Sequence, residues 1–80
     1  MKDIVHFDRS HELHGKTVIN TETLETLAAN IVVHQSGLCS YENDLGDVTR
    51  NNDATQMLAQ IENTDSMKLI DTTDFNETAY

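Results

Sequence analysis

Leu24, Leu27, Ala28, Ile31 and Val32 recur at the three- and four-residue steps that line one face of a helix. Asn20 or Thr21 stands in front of them as an N-cap, and Glu22 and Glu25 fall in the first turn, where carboxylates meet the positive end of the helix dipole. Gly37, shortly after His34, is placed for a left-handed C-terminal cap. The pattern predicts a helix over 21–36. One signal opposes it: Ile31-Val32-Val33 is a β-branched run of modest helix propensity.

Leu38, Tyr41, Leu45 and Val48 follow at steps of three, four and three, a second helical stripe that Ser40, Asn43, Asp44 and Gly46 keep short or irregular. A further helix opens on Asn52 or Asp53 as cap, buries Ala54, Met57, Leu58 and Ile61, and stops near Asn63-Thr64-Asp65. Met67, Leu69 and Ile70 add a short strand or one more turn. Upstream, residues 2–7 are rich in β-branched and aromatic types and predict a strand. Asp8-Arg9-Ser10 is a turn, and Leu13 to Ile19 returns as a second strand. The expected architecture is therefore α+β: one small acidic domain over 1–70, an N-terminal β-hairpin packed against two or three short helices. The polar residues 71–80 follow as a flexible tail. An all-α bundle with an extended N-terminal arm is the alternative.

At 80 residues the chain buries a small share of its surface. Domains of this size draw extra stability from disulfides, a metal or a partner subunit. Cys39 is the only cysteine, which excludes an intramolecular disulfide. No run of 18 apolar residues is present, and the first residues lack the apolar core of a signal peptide. With one thiol and no export signal, the expected compartment is cytoplasmic.

Charge alters the picture most. The chain carries 14 acidic and five basic residues, a net of −9. Residues 1–20 are balanced, whereas residues 21–80 hold 11 of the acids against Arg50 and Lys68 alone. Such a surface repels nucleic-acid phosphates and anionic membranes, both of which are bound through Lys and Arg. It attracts basic partners and steers their approach at low salt.

The motifs that suggest chemistry fail on spacing. His11-Glu12 with His14 approaches the zinc-protease signature, but the histidines are three apart rather than four. His6, His11 and His14, with His34, fit solvated histidines around a hairpin, so no metal or other cofactor is expected. Ser10 to Thr17 ends in the Gly-Lys-Thr of a phosphate loop, yet Ser10 replaces the first glycine and Glu12 sets a carboxylate beside the anion. Asp44, Gly46, Asp47 and Asp53 miss the calcium-loop register, which would put Tyr41 at the first aspartate position. Cys39 beside His34 fits a small buried hydrophobe better than a nucleophile. A helix-turn-helix over 27–45 would present Glu42 and Asp44 to DNA, which excludes it. No nucleophile, base and orienting group can be named together, so no enzyme is expected.

The remaining feature is the acidic stretch Glu42, Asp44, Asp47, Asp53, Glu62 and Asp65, diluted only by Arg50. A solvated, soluble surface accounts for half of what it implies. The other half is a negative face that docks on a basic groove. Duplex DNA presents a charge about every 1.7 Å, so a small acidic protein can occupy a nucleic-acid site by imitation. In size and charge the chain resembles the inhibitors that phages direct against host nucleic-acid machinery, including anti-restriction and anti-CRISPR proteins. That resemblance is of physical type and covers no alignable motif. It implies a non-enzymatic inhibitor or regulator, a DNA mimic, whose protein partner has a basic, nucleic-acid-binding surface. The alternative is an assembly subunit, either a homodimer or part of a larger complex, held through the stripe Leu38, Tyr41, Leu45 and Val48.

Overall fold

Ile31, Val32 and Val33 are all buried, although successive residues of a strand face opposite sides. Both faces of the strand that carries them are therefore covered, and the β-branched run prevails over the helical spacing. A computed structural model describes residues 6–80. Its elements in chain order are β1 (Lys16–Asn20), β2 (Thr26–Val33), β3 (Leu38–Glu42), β4 (Val48–Asp53), α1 (Ala54–Glu62) and β5 (Met67–Asp71). The strands form one sheet in the order β4-β3-β2-β1-β5, every neighbouring pair antiparallel. β1 to β4 are a meander. α1 then carries the chain from the β4 edge to the β5 edge.

Register shows what covers each face. Val33 pairs with Cys39, and Cys39 meets Met57 of α1 at 3.8 Å between sulfurs. Val18 pairs with Ala28 and with Leu69 on this helix-covered side. Leu13, Val18, Ile31, Val33, Cys39, Ala54 and Ile61 share one core. Each large aliphatic side chain among them contributes about 1.5–3 kcal/mol by leaving water. Val32, one residue out of phase, lies instead with Phe7 and Tyr80 around a cavity of about 170 Å³. Residues 72–80 supply this second cover. Asn76 exchanges two 2.8 Å hydrogen bonds with the Asn30 side chain, and the Tyr80 hydroxyl donates to the Ala29 carbonyl at 3.2 Å.

The expected fold class is corrected. Among the described residues, five antiparallel strands and one short helix replace both the helix-rich α+β domain and the all-α bundle. Over 21–36, Leu24 is 74% exposed rather than buried, and β2 begins at Thr26. Asn30 adopts a positive φ of 52° where the β2–β3 register shifts, and this bulge gave the apolar residues their helix-like steps. Gly37 serves the β2–β3 turn, not a helix end: the His34 amide donates to the Leu38 carbonyl, and the Gly37 amide to His34. The 38–48 stripe is a hairpin whose turn places Leu45 in solvent. Most of the proposed strand 2–7 lies outside the described residues. The part described does not return along β1, for Phe7 bridges His34 and β1 pairs with β2 and β5. α1 forms where its spacing predicts, capped by Asp53, whose side chain accepts the Gln56 amide at 3.0 Å.

Candidate interaction surface

The antiparallel meander alternates chain direction, so the β1–β2 turn, the β3–β4 turn and the α1–β5 turn emerge at one end of the sheet. Met67 opposite Asn20 sets the third turn beside the first. Thr21 ties them together, its amide donating to the Ser66 carbonyl at 2.7 Å and its hydroxyl to the same oxygen at 3.2 Å. These turns and their flanks carry Glu22 and Glu25, then Glu42, Asp44 and Asp47, then Glu62 and Asp65: seven of the 14 acids. Among the described residues, none of the seven has a cationic group within 4.0 Å.

Local hydrogen bonds fix the turns that bear these charges. The Asn20 side chain accepts the amides of Glu22 and Thr23 at 2.8 and 3.1 Å, and the Leu24 amide closes on the Asn20 carbonyl at 2.7 Å. The chain leaves this turn through Leu24 at φ 64°, a conformation a leucine rarely adopts. In the next hairpin the Asn43 side chain accepts the Leu45 and Asp47 amides, both at 2.9 Å. Gly46 supplies the left-handed residue at φ 85°.

Of the six acidic positions singled out from the sequence, Glu42, Asp44, Asp47, Glu62 and Asp65 come together at this end. Asp53 does not. It pairs with Leu38 at the opposite end of β4, where it caps α1. Glu22 and Glu25, which the sequence pattern places in the first turn of a helix, join this end as well. The signal that could have found them was the Asn-x-x-x-Leu-Glu turn lying ahead of a β-branched run.

At the opposite end Glu77 and Asp71 meet cations and Asp8 meets a hydroxyl donor, while Glu12 stands exposed. Glu77 accepts from both arms of Arg9, at 2.8 Å from Nε and 2.5 Å from Nη2. Lys16 pairs with Asp71. The Arg9 hydrogen bond, with a smaller one from His14, holds the Glu77 carboxyl below its ordinary range, and Lys16 does the same for Asp71. The Ser10 hydroxyl lowers Asp8.

The histidines have separate duties. His14, its side chain 6% exposed, accepts the Val33 amide on Nδ1 at 2.9 Å and faces Glu77 through Nε2, also at 2.9 Å. With Nδ1 so occupied, Nε2 carries the ring proton, and no free nitrogen is left to act as a base. Phe7 and Phe75 flank the ring at centroid distances of 5.7 and 5.2 Å. His34 stacks on Phe7, and His11 Nδ1 accepts the Leu13 amide at 3.1 Å. Among the described residues, no three His, Cys, Asp or Glu side chains gather as metal ligands. Cys39 is buried, and burial raises its thiol pKa, which makes it a poor nucleophile. Among the described residues no helix is long and apolar enough to cross a membrane. No protein-family model matches the chain, and no curated protein or solved structure is significantly similar to it.

Proposed function

We propose that this chain is a non-enzymatic interaction protein of the cytoplasm. It presents the acidic end of its sheet to a protein with a basic, nucleic-acid-binding surface, and so blocks or regulates that surface as a mimic of nucleic-acid charge. The observation that carries the reading is the clustering of seven acidic residues at one end of the sheet. Seven converge at one end where, among the described residues, no cationic group lies within 4.0 Å of any of them, while Glu77 and Asp71 at the other end pair with Arg9 and Lys16. Carboxylates so arranged give that end a negative field that attracts a basic partner and steers its approach.

Immobilised protein should retain nucleic-acid-binding proteins from a lysate at low salt, and duplex DNA should displace them. Asp44→Lys or Asp47→Lys should each reduce that retention, while Glu12→Lys, an equal charge change at the opposite end, should leave it intact. Equal loss from either end would contradict the reading, as would retained proteins that DNA does not displace.

A further inference from the structure

Two large apolar side chains stand in solvent at the acidic end. Leu24 is 74% exposed in the β1–β2 turn and Leu45 is 85% exposed in the β3–β4 turn. The two hairpins are neighbours in the sheet order β4-β3-β2-β1-β5. Their axes are two strand spacings apart, about 10 Å. Each leucine is bracketed by carboxylates, Leu24 by Glu22 and Glu25, Leu45 by Asp44 and Asp47. Single exposed apolar residues are ordinary on protein surfaces. Here, however, the two most exposed large hydrophobic residues of the described chain share one end, on turns pinned by Asn20 and Asn43.

We infer that Leu24 and Leu45 are paired apolar anchors of this surface, and that its partner is a protein with apolar side chains or recesses set among arginines and lysines. The inference rests on the acidic-end reading and deepens it. Charge complementarity selects the occupant. A second copy of the chain would bring seven carboxylates against seven, so self-association through this end is opposed by repulsion. A bare nucleic acid is repelled for the same reason. A basic protein surface satisfies the carboxylates, and burial of the two leucines supplies affinity that charge alone lacks. The division also gives specificity: carboxylates attract any basic surface, whereas the leucines select those with apolar groups at matching positions.

The test uses two synthetic probes, a short peptide of arginine and leucine and its counterpart with serine in place of leucine, titrated into the full chain. The wild type should bind the leucine peptide about tenfold more tightly than the serine peptide, the scale expected for burying a leucine at a contact. Leu24→Ala combined with Leu45→Ala should abolish that preference while leaving the serine peptide's affinity and its salt dependence unchanged. Both positions are exposed, so the double variant should keep the wild-type melting temperature and circular dichroism. A double variant that still prefers the leucine peptide as strongly as the wild type overturns the anchor role. Weaker binding of both peptides by Asp44→Lys/Asp47→Lys supports the acidic reading independently. Failure of the wild type to bind either peptide at low salt overturns that reading and the anchors with it.

Discussion

At one end of the sheet Glu77 lies in the fork of Arg9, with His14 against its second oxygen, and Asp71 meets Lys16. At the other, Glu22, Glu25, Glu42, Asp44, Asp47, Glu62 and Asp65 surround the three turns, and among the described residues no cation reaches them. Both ends are rich in carboxylates. One uses them to fasten the chain, joining the N-terminal turn to residues 72–80 across 68 positions of sequence. The other leaves them facing water. Acidic residues that are structural acquire partners within the chain; those without such partners are available to another molecule.

The largest effect should come from the fastening end. His14→Ala removes a buried ring from between Phe7 and Phe75 and orphans the Val33 amide. A loss of about 3 kcal/mol in urea unfolding is expected from the cavity and the unmade hydrogen bond together. A loss below about 0.5 kcal/mol would mean that the ring is not structural. Asp53→Ala, which deletes the α1 cap, should cost about 1 kcal/mol by the same measurement.

A smaller, pH-dependent effect belongs to Glu77 and Asp71. Both carboxyls are held below their unfolded values by cations, so their contribution is present above the ordinary carboxylate range and is lost as pH falls through it toward the depressed folded values. Melting temperature measured against pH should fall on acidification, and Glu77→Gln should lower it at neutral pH while flattening that fall. The smallest effect is expected at the acidic end. Asp44→Lys/Asp47→Lys removes unpaired like charges and should leave the melting temperature unchanged or slightly raised. A marked decrease would show that these carboxylates are structural, and the contrast between the ends would collapse.

The sequence disclosed these regions unequally. α1 was legible because its cap, spacing and stop agree: Asp53, then Ala54, Met57, Leu58 and Ile61, then Asn63. β2 was not. A strand buried on both faces loses the polar alternation that marks half-buried strands, and the Asn30 bulge made its apolar steps resemble a helix. The second cover, residues 72–80, looks like a loose polar tail because its contacts are made by Asn76, Glu77 and the Tyr80 hydroxyl, not by an apolar stripe. Net charge and its downstream bias were plain, and five of the six acidic positions chosen from them share one end. Asp53 fell elsewhere because only the strand order reveals which end of β4 it occupies. The spacing of Leu24 and Leu45 predicts core and stripe positions, since hydrophobicity alone cannot distinguish a buried leucine from one held out by a turn.

The decisive measurement is the affinity of the arginine–serine peptide across a salt series, by calorimetry, for the wild type, Asp44→Lys/Asp47→Lys and Glu12→Lys. Wild type and Glu12→Lys should lose affinity along the same steep line as exposed charges become screened, and the double reversal should start weaker and fall less. An affinity indifferent to salt, or equal in all three proteins, would contradict a surface built on unpaired carboxylates.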